Sequence, residues 1–269
     1  MFEAMLDEMR LRNFSLKTQK VYLYYNQDFL RWVALKPQSV TEQDIKRYLL
    51  EYICAGRSSS TVNLAHNALL FYYNTVMKRR FYSLPFQKRE QKVRVVPSKS
   101  EIDLLIDAVS YVKHKLVISL LYASGVRCSE LISIRVSDVD FDRRLLLVRQ
   151  GKGKKDRYTI LSYSVLGLVS EYLKIRVWKG SFYLFDTPTG HITSATVEKV
   201  VANAVSSCGL VKNMTPHCLR HAFATHHMRA GTQIEYIQKM LGHKDIRTTQ
   251  IYERVDTSDL EGLRSPQDC

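Results

Sequence analysis

Apolar residues recur every three or four positions along most of residues 1–80, which is the spacing of one face of an α-helix. A second helix is predicted to begin at Thr41, because Asp44 three residues later supports an N-terminal cap. A third long helix is predicted after Gly56. The pattern is clearest in the first long helix, whose apolar positions are Val21, Tyr25, Phe29, Leu30 and Val33.

Helical patterns return beyond residue 97, and the period changes only after VSDVDFD. Ser98 and Glu101 form a capping-box pattern, and helical spacing then continues to Gly125. The runs RLLLVRQ and DRYTILS are short, β-rich and joined by GKGKK, so they predict an antiparallel hairpin. Helical spacing resumes at residues 162–176, 193–207, 215–230 and 232–241. The chain is therefore predicted to be mainly α-helical, with one small sheet in its second half.

A basic segment at residues 78–97 separates these two halves. It contains seven Lys or Arg residues and one acidic residue, Glu90. The whole chain has 40 Lys+Arg against 26 Asp+Glu, a net charge of +14, which is typical of proteins that bind polyanions. We interpret the segment as a linker suited to contact a phosphate backbone. A solvated linker without a partner is the alternative.

The cysteine pattern and the apolar runs favour a soluble protein of a reducing compartment, which we expect to be the cytoplasm. The five cysteines include no C-x-x-C pair, so neither a disulfide framework nor a cysteine zinc site is indicated. The N-terminus lacks the apolar core of a signal peptide. No apolar run approaches the roughly 18 residues of a membrane span.

The segment TPHCLRHAFATHHMRAG places four histidines and two arginines within thirteen residues of one predicted helix. His217 and Arg220 are three residues apart and share a helix face, so we interpret them as a clamp for an oxyanion or a phosphate. A zinc site using His217 and His221, or His226 and His227, is the alternative, but no H-E-x-x-H arrangement accompanies them. His221, His226 and His227 are interpreted as structural.

Three other segments carry candidate chemistry. In YASGVRCSEL, Arg127 follows a glycine break and can offer a planar fork to a phosphate, although capping the next helix is an alternative role. In RQGKGKKDR, Lys152 lies at the tip of the predicted hairpin. In LGHKDIRTTQIYERV, His243 follows a helix break and Tyr252 comes nine residues later.

These motifs together resemble those of the tyrosine recombinases, also called phage-type integrases, and within them the short Xer-like members. The resemblance covers most of the chain. It matches the family's two arginines to the one in SGVRCSEL and the one in TPHCLRH, and its nucleophile to the tyrosine in LGHKDIRTTQIY. Minor departures are Cys218 within HCLRH and Glu253 after the tyrosine. The six matched positions are Arg127, Lys152, His217, Arg220, His243 and Tyr252.

The resemblance implies that Tyr252 attacks a DNA phosphodiester and forms a 3′-phosphotyrosyl link, releasing a 5′-hydroxyl. This agrees with elementary chemistry, since fixed cations aimed at the non-bridging oxygens stabilise the extra negative charge of the transition state. Arg127 and Arg220 are predicted to supply that clamp. No metal, nucleotide or other cofactor is expected, because the arginines replace a Lewis acid and the covalent link conserves the phosphodiester energy.

The remaining matched residues are assigned to proton transfer and positioning. Lys152 is expected to protonate the leaving 5′-oxygen as general acid, although Lys154 and Lys155 are alternatives for this role. His217 is expected to orient or deprotonate the nucleophile, and His243 to donate a hydrogen bond to a phosphate oxygen. DNA-binding residues are predicted in the linker and the hairpin, namely Lys88, Arg89, Lys92, Arg94, Lys154 and Lys155.

The resemblance also implies a domain organisation and an assembly. We expect a helical core-binding (SAM-like) domain at residues 1–82, a basic linker at 83–97, and a mixed α+β catalytic domain at 98–269, with no arm-binding module before them. Monomers are expected to bind double-stranded DNA and to assemble as tetramers on two sites, reacting through a Holliday junction, with a partner recombinase as a further possibility.

Three alternatives stay open. They are a type IB topoisomerase-like enzyme, an inactive DNA-binding regulator on the same fold, and a histidine zinc protein. The natural role, chromosome dimer resolution or movement of a mobile element, also stays open.

Overall fold

The structure is a computed structural model that describes residues 2–79, 81, 85–88, 96–149, 156–177, 180–210 and 214–242. The chain divides into two compact units, Met1–Val93 and Arg94–Cys269. In the described residues, no helix is both long enough and apolar enough to span a bilayer. The prediction of a mainly helical protein with a small antiparallel sheet is confirmed.

In its described residues, the first unit is a bundle of four α-helices. Polar side chains cap three of them: the Ser15 and Ser58 hydroxyls each accept a backbone N–H three residues later, and Thr41 forms a reciprocal capping box with Asp44. The predicted start at Thr41 is therefore confirmed. The last helix departs from prediction, because its α-helical part ends at Leu70 and a π-helical turn continues it. The elements are α1 (Glu3–Leu11), α2 (Leu16–Val33), a 3-10 turn (Pro37–Ser39), α3 (Glu42–Cys54), α4 (Ser59–Leu70) and the π turn (Phe71–Val76).

Packed aromatic rings and a buried amide contribute to the core of this bundle. Phe29, Tyr48 and Tyr73 are almost completely buried, and the ring of Phe29 meets the other two edge to face. Asn26 of α2 is also buried and donates to the backbone carbonyl of Ala68 in α4, 2.9 Å away. Since a buried amide requires a partner, this bond fixes α2 against α4.

The second unit contains seven α-helices and two small sheets among its described residues. Ser98 and Glu101 form the predicted capping box at the start of the first helix. The helices are α5 (Lys99–Asp107), α6 (Val112–Ser124), α7 (Cys128–Leu131), α8 (Tyr163–Ile175), α9 (Ser194–Ser207), α10 (Pro216–Arg229) and α11 (Ile234–Leu241). The strands are β1 (Val139–Asp140), β2 (Leu145–Val148), β3 (Arg157–Ile160), β4 (Asp186–Thr187) and β5 (Gly190–His191).

The predicted hairpin is present, as β2 and β3 pair antiparallel with Leu145 opposite Ile160 and Val148 opposite Arg157. β1 joins the other edge of β2. A second hairpin, β4–β5, forms a separate sheet. Sequence reasoning missed β1, β4 and β5, because a strand of two residues is too short to show an alternating pattern.

Helix α6 is the centre of this unit. Its apolar residues show no single face, and the helix packs against α8, α9 and α10. A helix that is apolar all round is expected to be buried, and five consecutive or nearly consecutive residues confirm this: Leu116, Val117, Ile118, Leu120 and Leu121. Helix α6 ends at Ser124, and the left-handed backbone of its C-cap residue, Gly125, turns the chain toward Arg127. The packing of α6 in the core thus sets the position of the first candidate arginine, Arg127.

Candidate active site

A single carboxylate, that of Glu130, organises the candidate site. Glu130 lies in the short helix α7 and is only 7 % exposed. Its Oε1 accepts a hydrogen bond from Arg127 Nη1 at 2.7 Å, and its Oε2 accepts one from the Arg127 backbone N–H at 2.8 Å. Arg127 is therefore held twice by one carboxylate. It occupies the N-cap position of α7, so it combines the capping position with a place in the cluster.

A second arginine, Arg157, grips the same carboxylate. It is the first residue of β3, and its Nη1 and Nη2 donate to Glu130 Oε1 and Oε2 at 2.9 and 2.7 Å. Two parallel bonds of this kind make a bidentate pair, the strongest geometry available to arginine and a carboxylate. Its Nε donates to the backbone carbonyl of Met240 at 2.7 Å. Arg157 thus joins β3, α7 and the end of α11.

Arg220 of α10 completes the cluster. Its side chain is 3 % exposed, and its Nη1 lies 3.8 Å from Glu130 Oε2. Its Nη2 donates to the carbonyl of Leu241 at 2.7 Å, and its Nη1 donates to the carbonyl of Gly125. The structure therefore brings Arg127 and Arg220 together around Glu130. Of the two, Arg127 is the more accessible, since 27 % of its side chain is exposed.

The ionisation of Glu130 reflects these neighbours. Burial alone raises the pKa of this carboxyl group, but the bonds from Arg157 and from the Arg127 backbone, together with the charges of both arginines, outweigh burial and lower the pKa to about 2. The carboxylate is therefore ionised throughout the physiological pH range. A charged carboxylate at the centre of three arginines holds their guanidinium groups at short distances that their mutual repulsion would otherwise oppose.

We expect Glu130→Gln to destabilise the protein in a pH-dependent way. Because the folded pKa lies below the ordinary value of 4.5, the carboxylate stabilises the fold above that pH, and this contribution is lost as the pH falls toward 2. The pKa difference corresponds to a contribution of this carboxylate to the free energy of unfolding on the order of 3 kcal/mol at pH 7. Denaturant unfolding between pH 7 and pH 3 measures it.

Glu171→Gln is the matched control, since Glu171 is an exposed carboxylate on α8. The gap between wild type and Glu130→Gln should be largest at pH 7 and narrow below pH 4.5, whereas the control should follow wild type. A gap that stayed constant over the whole pH range would show that the charge of Glu130 does not stabilise the fold.

Gly125 gives the turn between α6 and Arg127 its shape. Its φ is +60°, and a Cβ built on it would lie 2.4 Å from the ring of Phe223. No side chain fits at that distance. The carbonyl oxygen of Gly125 accepts a hydrogen bond from Arg220. The positive φ of Gly125 and the close packing of Phe223 therefore fix the position of this acceptor.

Gly125→Ala is expected to be far more harmful than Gly209→Ala. Both glycines have positive φ, +60° and +66°, but nothing lies within 4 Å of a Cβ at Gly209. Both variants should lose about 1–2 kcal/mol from the left-handed backbone. Gly125→Ala should lose about 1–3 kcal/mol more from overpacking against Phe223. Thermal or denaturant unfolding measures both losses, and equal losses would contradict the role given to Phe223.

The histidines of α10 have different surroundings. His217 is exposed in the first turn, one turn before the buried Arg220. His226 Nδ1 lies 2.9 Å from the hydroxyl of Tyr122, and His227 Nδ1 lies 3.2 Å from that of Thr232. Burial lowers the pKa of His226 and of His227. Across the described ranges, no three His, Cys, Asp or Glu side chains are grouped closely enough to hold a metal ion.

The described residues include four of the predicted site residues. Arg127 and Arg220 meet at Glu130, His217 lies on the helix that carries Arg220, and Lys88 is exposed. Eight predicted residues lie outside the described residues, and they are Arg89, Lys92, Arg94, Lys152, Lys154, Lys155, His243 and Tyr252.

Sequence reasoning missed Glu130 and Arg157. Glu130 had a readable signal, since an acidic residue three positions after Arg127 matches a helix-capping spacing. Arg157 had none, because it stands beside several other basic residues, and only the fold brings it to a carboxylate 27 positions away.

Two models of known protein families match this chain. A model described as "Phage integrase family" matches residues 97–259. The chain belongs to the phage integrase family. A second model, "Phage integrase, N-terminal SAM-like domain", matches residues 1–82. The family expected from the arginine, histidine and tyrosine motifs, that of the tyrosine recombinases, is confirmed, and so is the SAM-like character of the helical N-terminal part.

Two curated relatives extend along nearly the whole chain. A putative integrase/recombinase, y4qK, of Sinorhizobium fredii is 33 % identical over 269 residues, covering 98 % of this chain and 87 % of the relative. A tyrosine recombinase, XerA, of Pyrococcus horikoshii is 33 % identical over 263 residues, covering 94 % of this chain and 88 % of the relative. The similarity thus includes both units.

One solved structure resembles the fold closely. The XerH site-specific recombinase, crystallised with its difH substrate as a pre-cleavage complex, has a TM-score of 0.77 and 21 % identity, covering 93 % of this chain and 79 % of that chain. At this identity the similarity supports the fold alone, and the chemistry of this chain depends on its own residues.

Proposed function

We propose that the protein is a site-specific DNA recombinase that cuts and rejoins duplex DNA through a covalent 3′-phosphotyrosyl intermediate. The observation that carries the proposal is the buried cluster in which Arg127 and Arg220 meet at Glu130. Membership of the phage integrase family and similarity to the tyrosine recombinase of Pyrococcus horikoshii support it.

The cluster suits a phosphodiester under attack. In-line attack produces a five-coordinate phosphorus that carries extra negative charge on its non-bridging oxygens. Preorganised cations at those oxygens stabilise the transition state more than the ground state. Arg127 is the arginine that reaches the phosphate, because part of its side chain is exposed. Arg220, which is buried and donates to two backbone carbonyls, adds a second positive charge.

The nucleophile of the proposed reaction is Tyr252. Its phenolic oxygen bonds to the phosphorus, the bond to the 5′-oxygen breaks, and Lys152 gives that oxygen a proton. His217, exposed at the start of α10, orients the tyrosine or accepts its proton, and His243 donates to a phosphate oxygen. Attack by a 5′-hydroxyl reverses these steps and rejoins the strand without an external energy source.

DNA affinity has a separate origin in this proposal. The net charge of +14 and the exposed Lys88 favour contact with a phosphate backbone. Added salt should weaken that contact, because binding releases counterions from the DNA and this release is less favourable at high salt. We place further contacts in the same basic linker and in the hairpin, at Arg89, Lys92, Arg94, Lys154 and Lys155. Pairs of sites held by four subunits would exchange strands through a Holliday junction.

Covalent capture tests the proposal and does not require the DNA site to be known. Wild-type protein is incubated with a library of random duplexes carrying single nicks, and adducts that survive denaturation are isolated. We expect wild type to form adducts and Tyr252→Phe to form none while retaining duplex binding, because only the phenolic oxygen is removed. Sequencing the attached DNA then identifies the cleavage site.

Tyr236→Phe is the matched control, since Tyr236 is an exposed tyrosine of α11. It should form adducts as wild type does. Adducts formed by Tyr252→Phe at the wild-type level would rule out Tyr252 as nucleophile, and binding without any wild-type adduct would indicate an inactive regulator. Relaxation of supercoiled plasmid that lacks the identified site would favour the topoisomerase-like alternative.

A further inference from the structure

We propose that Arg157 is a positioning residue for the phosphate clamp: it neutralises Glu130, so that the positive charge of Arg127 and Arg220 remains available to the scissile phosphate. This inference rests on the proposed function. The side chain of Arg157 donates to Glu130 and to a backbone carbonyl. It acts on the reaction only through the Glu130 carboxylate.

The geometry of Arg157 is that of a fixed counter-ion. Its side chain is 10 % exposed, both terminal nitrogens are on Glu130, and its Nε is on the carbonyl of Met240. Gly242 packs against it so closely that a Cβ there would lie 2.9 Å from Arg157 Cδ. The fork is therefore locked by packing and by three hydrogen bonds, and little of it is available to DNA.

The net charge of the cluster explains why the contact between Arg157 and Glu130 matters for anion binding. Glu130 binds Arg127 at 2.7 Å and lies 3.8 Å from Arg220, so alone it would cancel one of the two charges meant for the phosphate. With Arg157 present, three guanidinium groups face one carboxylate, so these four described side chains carry a net charge of two positive. Glu130 can then hold Arg127 in place without weakening its attraction for an anion.

A comparison within the same hairpin separates this role from ordinary stabilisation. Arg149, next to the end of β2, donates from Nε to the buried carboxylate of Asp138 at 2.7 Å. It is also an arginine–carboxylate pair, but its carboxylate is that of Asp138 and not that of Glu130, which holds the clamp. Arg149→Gln therefore controls for the loss of an ion pair with a buried carboxylate from this sheet.

The experiment measures the first-order rate of covalent adduct formation on a nicked duplex that carries the cleavage site found by covalent capture. Two versions of the duplex are compared. One has a normal scissile phosphate, and the other has a methylphosphonate, in which a methyl group replaces one non-bridging oxygen and removes the negative charge. The proteins are wild type, Arg157→Gln, Arg157→Lys, Arg149→Gln, Glu130→Gln and the double variant Glu130→Gln/Arg157→Gln.

We expect Arg157→Gln to slow cleavage of the normal phosphate by about 10–100-fold, less than the roughly 100–1,000-fold loss that follows removal of a direct oxyanion donor. DNA affinity should be unchanged. On the uncharged methylphosphonate the loss relative to wild type should shrink to a few-fold. Arg157→Lys, which keeps the charge, should lie nearer to wild type than to Arg157→Gln, and Arg149→Gln should match wild type on both substrates.

The double variant is the sharpest arm of the test. Arg157→Gln lowers the net charge of the cluster from two to one, and adding Glu130→Gln returns it to two, so the double variant should cleave the normal phosphate faster than Arg157→Gln alone. Such non-additivity is expected only between coupled groups. Thermal unfolding of every variant identifies any that fails to fold, in which case the lysine and double variants carry the comparison.

Three outcomes would overturn the inference. They are a wild-type cleavage rate in Arg157→Gln, equal losses on the charged and uncharged substrates, and a double variant whose loss is the product of the two single losses. These are distinct from failure of the proposed function, in which wild-type protein itself would form no adduct on the normal duplex.

Discussion

The ion pairs of Glu130 are the interaction on which the candidate site depends. One carboxylate accepts hydrogen bonds from Arg127 and Arg157 and lies close to Arg220, so it counteracts the repulsion of three cations in a largely buried volume. Removing one partner of a buried ion pair typically costs about 3–5 kcal/mol, because an uncompensated charge is left behind. The same interaction therefore contributes to stability and fixes the positions of the Arg127 and Arg157 guanidinium groups.

The fold brings together parts of the chain that are far apart in sequence. Arg127 follows the C-terminal end of α6 and caps α7. Arg157 is the first residue of β3, and Arg220 lies in α10. Arg157 and Arg220 also bind consecutive carbonyls at the end of α11, those of Met240 and Leu241. The cluster thus ties α7, β3, α10 and the end of α11 to one another.

Sequence alone predicted those features that depend on near neighbours. The capping boxes at Thr41 and Ser98, the β2–β3 hairpin and most helix bounds are encoded within a few residues, and the structure agrees with them. Arg127 and Arg220 were singled out because each stands in a distinctive motif, and the structure brings both to Glu130. Arg157 was missed because its meaning depends on a tertiary contact, and the strands β1, β4 and β5 were missed because two residues carry no periodicity.

We infer that the Glu130 cluster is a preorganised clamp for the scissile phosphate. The most direct measurement is a structure of the Tyr252→Phe variant bound to its cleavage-site duplex, with the scissile phosphate intact. We expect Arg127 to donate to a non-bridging oxygen of that phosphate while Arg157 keeps both of its bonds to Glu130. A scissile phosphate bound away from Arg127, or an Arg157 that leaves Glu130 to contact DNA, would contradict it.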